Sequence, residues 1–259
     1  MSKPYKASLF LQSFQKDIPN EYMNLGERLD SALQSGSGTV EADLVMHIVR
    51  CIYSKNGCYK NINKPNGDAD IDGQNNQLAI QNSESGVEKK VYLKFVHNFL
   101  YAVARDLVHK CNERKKEANL PENPMSKKIV ENCSHFNLYV NLLEQLRSEE
   151  RYIIINSMTN HLRYPNIFTY FFHMVLVQLF KSFPESGRNE IREIILRILV
   201  ERLIAHLPHP WGLNMTYLAM IEIVQEEFTE TQQLPPFMRD RKIEQLVMAP
   251  AMVMNQNQV

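Results

Sequence analysis

The sequence predicts an all-helical fold, a stacked helical repeat or α-solenoid of about eight or nine antiparallel helices, on three observations. Apolar residues recur at three- and four-residue spacing through most of the chain, and prolines and glycines interrupt it at helix-length intervals. No segment of any length alternates apolar and polar residues as a half-buried strand does. Helices joined by short turns pair into hairpins, and hairpins that cannot bury their apolar faces alone stack on neighbours.

In chain order, Leu9, Phe10, Leu11 and Phe14 suggest a short docking helix before Pro19. Tyr22, Leu25, Leu29 and Leu33 mark the next helix, a Ser/Gly turn follows at 35–38, and 41–53 completes a hairpin. From 55 to 86 the composition shifts to seven asparagines and four glycines with few large apolar residues, which predicts a disordered surface insertion. Asp68, Asp70, Asp72 and Gly73 imitate the start of a calcium loop. The closing glutamate is missing, however, with Ile80 and Gln81 near its place, and so are flanking helices. Helical pattern resumes over 87–116, with Val91, Phe95, Phe99, Val103 and Leu107 inward and a basic end at 110–116. That end reads as a solvated terminus complementing the helix dipole, with a nucleic-acid patch as the sharper alternative.

After Pro121 and Pro124, one helix is predicted over 126–147, burying Ile129, Phe136, Tyr139, Val140, Leu143 and Leu146. Ser148 is the expected N-cap of the following helix, which runs through Tyr152, Ile155 and Met158 to Leu162. Phe168 to Phe183 is apolar nearly all round, as a central helix buried on both sides would be. In the next helix Ile191, Ile194, Ile195, Ile198 and Leu199 point inward while Arg192, Glu193, Arg197 and Glu201 line the outside. Leu213 to Phe228 is amphipathic, 239–247 could form a last short helix, and 249–259 has little reason to be ordered.

Bulk properties narrow the function classes. The 259 residues are 44% apolar, ample for a core, and 29 basic residues cancel 29 acidic ones, so no long-range field recruits nucleic acid or anionic membrane. Four cysteines lack metal-site spacing and the first residues lack the sustained apolar core of a signal peptide, which predicts free thiols in a reducing compartment. The most apolar window, 167–180, contains His173 and Gln178 and is too short to span a membrane. Nothing in the chain spells catalysis. HExxH, GxSxG and phosphate-loop motifs are missing, and Pro208 breaks the helix that would align His206 and His209 on one metal.

The most specific punctuation lies between 162 and 213. Pro165 restricts Tyr164 to extended dihedrals and ends one helix, and Asn166 is placed to cap the next. Pro208 and Pro210 stop the later helix, with Trp211 and Gly212 at the turn into another. A lone Trp there reads first as the packing anchor of a tight corner, with direct partner contact as the alternative.

LRYPN at 162–166, ERLI at 201–204 and PHPWGL at 208–213, in this order and spacing, resemble the C-terminal domain of the Not scaffold, the largest subunit of the eukaryotic CCR-NOT deadenylation complex. The likeness extends upstream through the 92–109 helix and the 19–33 segment. Leu207 stands where the family has Arg, and the family's PEIEKLF-like ending survives only as Phe228, Pro235, Pro236 and the 243–246 run. The resemblance implies a HEAT-like stack, and with the compositional reading the chain divides into an N-terminal hairpin (1–54), the insertion (55–86), which the family does not require, the helical core (87–247) and a tail (248–259). It also implies a noncatalytic scaffold without metal, cofactor, small-molecule substrate or membrane contact. Such a scaffold docks a heterodimer of Not-box subunits and serves deadenylase subunits and mRNA indirectly, in mRNA deadenylation, decay and translational repression. Its expected location is cytoplasmic, including P-bodies, and nuclear. The motif positions implied to bind partners are Arg163, Tyr164, Pro165, Asn166, Glu201, Arg202, His209, Pro210 and Trp211. The alternative class is an RNA-binding helical repeat, which would cluster Lys and Arg on one concave face.

Overall fold

A computed structural model of the chain describes residues 25–34, 42–53, 92–117, 127–205 and 210–231. The expected N-terminal docking helix, the 55–86 insertion with its aspartate run, the 239–247 helix and the tail lie outside them. The described residues form α-helices and one 3-10 turn, with no strand among them. The helices are α1 (Leu25–Gln34), α2 (Ala42–Tyr53), α3 (Leu93–Glu117), α4 (Lys127–Glu131), α5 (Ser134–Glu144), α6 (Ser148–Thr159), α7 (Ile167–Ser182), α8 (Arg188–Ala205) and α9 (Trp211–Thr231). The 3-10 turn Asn160–Leu162 joins α6 to α7.

Packing runs mainly between near neighbours, as in an α-solenoid-like stack: α1 on α2, α2 on α3 and α5, α6 on α8, α7 on α9, and α8 on α7 and α9. The apolar helix α7 sits in the middle. It touches α3, α4, α6, α8, α9 and the 3-10 turn, and Phe171, Phe172, Val175, Leu176, Leu179 and Phe180 are fully buried. One continuous core extends from Leu29 and Ile48 through Phe95, Phe99 and Tyr139 to Ile195, Leu213 and Met220.

Several elements differ from the sequence expectation. The 126–147 segment is two helices, because the chain breaks at Cys133. This residue is extended (φ −96°, ψ 148°) and its Sγ accepts from the Phe136 N–H at 3.4 Å, capping α5. The break turns Leu138 and Leu142 fully inward and leaves Ile129 and Val140 only partly buried. Arg147, not Ser148, caps α6. Its side chain ion-pairs with Glu150, whose carboxylate also accepts the Arg147 backbone N–H at 3.1 Å, as in a capping box. Arg192, expected on the outside, is buried. Its Nε donates to the Phe180 carbonyl at 2.7 Å and its guanidinium grips both oxygens of Glu227 at 2.6 and 2.8 Å. It thus closes the end of α7 and ties α8 to α9. The outer Glu193–Arg197 pair is present as expected.

A second buried polar cluster fastens the N-terminal hairpin. Asp106 Oδ2 lies 2.7 Å from His135 Nε2 and 2.9 Å from Lys110 Nζ, and Lys110 also donates to the Leu33 carbonyl at the end of α1, 2.7 Å away. Burial pushes the Asp106 carboxyl upward, but the hydrogen bonds from His135 and Lys110 outweigh it and hold the group below the usual carboxylate range. Burial holds His135 below the usual histidine range. Lys110 therefore ties helices together instead of belonging to a freely solvated basic end.

Candidate functional site

Three of the sequence motifs meet at one corner. The 3-10 turn ends at Leu162, and Arg163, Tyr164, Pro165 and Asn166 are all exposed. Asn166 caps α7 as its chemistry requires: extended at φ −156°, it accepts the N–H groups of Phe168 and Thr169 on Oδ1 at 2.8 and 3.0 Å. Its amide donates to the Tyr164 carbonyl at 3.0 Å, and the buried Thr169 hydroxyl reaches the carbonyls of His161 and Tyr164. The loop is thus held rigid from beneath while its outer face stays in water.

PHPWGL meets this loop through its glycine. A Cβ on Gly212 would stand 2.5 Å from the Leu162 carbonyl oxygen and 2.6 Å from Thr169 Cγ2, so only glycine permits this approach. Thr216 then donates to the Gly212 carbonyl at 2.7 Å and stands 3.0 Å from His173 Nδ1 on α7, locking the first turn of α9. The Pro210 carbonyl accepts from Leu213 and Asn214 at 3.1 Å each.

The anchoring role expected of Trp211 therefore belongs to Gly212. Trp211 is 51% exposed, Tyr164 is 71% exposed and Ile204 is 66% exposed. Because Gly212 meets Leu162, Trp211 and Tyr164 lie within a few residues of one contact.

Of the ERLI residues Leu203 is buried, Arg202 is half-buried against α6, and Glu201 and Ile204 are exposed. Arg202 donates to Asn156 Oδ1 at 2.6 Å, to the Asn156 carbonyl at 3.0 Å and to Asn160 Oδ1 at 2.7 Å, satisfying the end of α6 as a cation there should. Glu201 accepts from the Tyr152 hydroxyl at 2.7 Å. Burial, and behind it the charge of Arg163, lowers the Arg202 pKa, which shows LRYPN and ERLI to be electrostatic neighbours. Arg163 itself lies over the Tyr164 ring at 6.0 Å and has no carboxylate partner among the described residues. Of the implied partner positions, then, Tyr164, Trp211 and Arg163 offer free chemistry, Asn166, Glu201 and Arg202 are engaged within the fold, and His209 lies outside the described residues.

Beneath the loop, His161 stacks on Phe172 at 4.4 Å with Tyr101 beyond it at 6.4 Å, and burial takes its pKa down to about 4. It is a neutral packing ring. No group of three or more metal-ligating side chains occurs among the described residues, none of their helices is long and apolar enough to cross a membrane, and Cys111 and Cys133 are free thiols.

Fold and corner together define the class, an α-solenoid-like helical domain with a rigidly held, exposed corner. Residues 12–249 match the family described as "CCR4-Not complex component, Not1", and the chain belongs to that family, as a noncatalytic scaffold domain. It is 43% identical over 93 residues to the CCR4-NOT transcription complex subunit let-711 of Caenorhabditis elegans, covering 36% of this chain and 3% of that protein. To the general negative regulator of transcription subunit 1 of Saccharomyces cerevisiae it is 40% identical over 89 residues, 34% of this chain and 4% of that protein. The chain thus spans a small part of these relatives' length. The NOT1 superfamily homology domain from Chaetomium thermophilum shares the fold at a TM-score of 0.63 and 20% identity, covering 96% of this chain and 39% of that one. A Not1 C-terminal domain in complex with Not4 shares it at 0.55 and 23%, covering 88% and 39%.

Proposed function

We propose that this chain is the subunit-docking domain of a CCR4-NOT scaffold: it holds a heterodimer of Not-box subunits and through them serves deadenylases and mRNA, in mRNA deadenylation, decay and translational repression. Its place of work on this reading is the cytoplasm, including P-bodies, and the nucleus. The observation that carries the reading is the family match over residues 12–249, on a fold shared with a Not1 C-terminal domain that is in complex with Not4. The surface supports it, since rigidly held exposed aromatics are what protein interfaces use as anchors.

The test is co-expression of the chain with two Not-box subunits, followed by size-exclusion chromatography. A single peak containing all three chains at equal stoichiometry is expected. Elution of this chain alone, with the Not-box pair intact beside it, would contradict the reading.

A further inference from the structure

The exposed face of α9 carries more information than a generic docking surface. Trp211, Leu218, Glu222, Gln225 and Thr229 recur at helical spacing on one side of the helix, and Trp211 and Leu218 are 51% and 41% exposed. This ridge rises about 27 Å from Trp211 to Thr229 at 1.5 Å per residue. Its two ends have opposite character. The Trp211 end adjoins the loop that follows Leu162, since Gly212 meets the Leu162 carbonyl, and in that loop Arg163 lies over the exposed Tyr164 ring and lacks a carboxylate partner among the described residues. At the other end Glu222, Gln225, Glu226, Thr229 and Glu230 are all exposed along one side of the helix. None of the three glutamates is ion-paired among the described residues. The dipole of α9 adds to the same polarity, positive at Trp211 and negative at Thr231.

We propose that this ridge docks a charge-ordered segment of a partner protein: acidic where it meets Arg163, Tyr164 and Trp211, aliphatic over Leu218, and basic over Glu222, Glu226 and Glu230. The proposal rests on the docking function above and specifies the surface and the chemistry of its occupant. Charge complementarity at both ends sets the register of the segment, because reversing it would place acid on acid. A nucleic acid fits worse. Phosphates repeat one sign along their whole length, and the glutamate end would repel them.

The test uses the whole chain and the co-expressed Not-box heterodimer, with affinity read by calorimetry. Three variants probe the ridge: Trp211→Ala with Leu218→Ser, Arg163→Glu, and Glu222→Lys with Glu226→Lys and Glu230→Lys. Each is expected to weaken binding about tenfold or more, the factor that 1.4 kcal/mol produces, at an unchanged circular-dichroism spectrum, whereas Glu113→Lys on α3 leaves affinity as it was. Carbodiimide coupling of the wild-type complex is expected to join Glu222, Glu226 or Glu230 to partner lysines, and reversing those lysines to glutamate should rescue the triple-lysine variant. Wild-type affinity in all three ridge variants would overturn the ridge and leave the docking function standing; failure of the wild-type chain to bind the heterodimer would overturn both. Loss of RNA-oligonucleotide binding in the Arg163 and Trp211 variants, with heterodimer binding intact, would likewise overturn the proposal and assign this end to nucleic acid.

Discussion

Gly212→Ala is the sharpest perturbation of the corner. The added methyl must come within 2.5 Å of the Leu162 carbonyl oxygen and 2.6 Å of Thr169 Cγ2. The carbonyl belongs to the backbone and cannot rotate away, so α9 has to move off the loop. Overpacking of a well-filled site costs roughly 1 to 3 kcal/mol, while the helix gains at most about 1 kcal/mol in replacing Gly by Ala, and less in a first turn. A net loss of about 2 kcal/mol is expected, which for a domain of this size lowers the thermal midpoint by about 4 to 8 °C. Adding Thr169→Ser removes one of the two obstructing atoms and keeps the hydroxyl. The double variant should then be more stable than the sum of its parts by about 0.5 to 1 kcal/mol. Differential scanning fluorimetry and urea titration read both effects. A neutral or stabilising Gly212→Ala, with no coupling to Thr169, would show that the helix does not approach the loop as described.

Other perturbations test the rest of the frame. Arg192→Ala removes the buried guanidinium that holds the Phe180 carbonyl and Glu227. Because Glu227 is a third exposed and can rehydrate, the urea-derived loss should fall at the low end of what breaking a buried pair costs, about 3 kcal/mol. Acid should destabilise the fold in steps. His161, His135 and His173 are held below the ordinary histidine range, so the unfolded chain takes up their protons first, and their contribution disappears as pH falls from about 6.5 through about 4, the value for His161. Asp106 is also depressed, so its contribution goes at lower pH still. His161→Phe, which keeps the stack on Phe172, should flatten the stability profile over that window, and an unchanged slope would contradict this. The Tyr92 N–H donates to the Ile52 carbonyl at 2.7 Å, so these two positions adjoin. Replacing 56–85 by a short linker should therefore leave the thermal midpoint within about 2 °C, since closure entropy grows only slowly with length.

What the sequence made legible was local chemistry. Asn166 caps α7 because an amide side chain three residues before Thr169 can reach two backbone N–H groups without help from elsewhere. The apolar run 167–182 could only be a helix covered on several sides, and the Glu193–Arg197 pair lies within one helix. Two of the misreadings, Arg192 and Trp211, come from a partner in a distant segment. Arg192 looks like a surface residue until Glu227, on the next helix, and the Phe180 carbonyl are placed beside it. Trp211 looks like the anchor because aromatics usually are, yet the contact distance is set by the Cβ that Gly212 lacks. The break at Cys133 has no proline or glycine to announce it, and a thiol is a weak cap on propensity alone. Within the candidate site, the motif segments do come together in space. Which side chains face water depended on Asn156, Asn160 and Tyr152, whose hold on Arg202 and Glu201 no spacing rule reveals.

The most direct measurement of the central claim is the salt dependence of binding for two ligands side by side, at about 50 and 200 mM salt, the range in which phosphate contacts weaken most. Calorimetry should show the Not-box heterodimer losing only part of its affinity between the two, since salt screens the charge pairs at the ends of the ridge but not the burial of its apolar and aromatic surface. A fluorescent RNA oligonucleotide should bind weakly and be released at the higher salt, because 29 acidic residues offset 29 basic ones. Tight RNA binding with a steep salt slope, and no affinity for any Not-box subunit, would contradict the account.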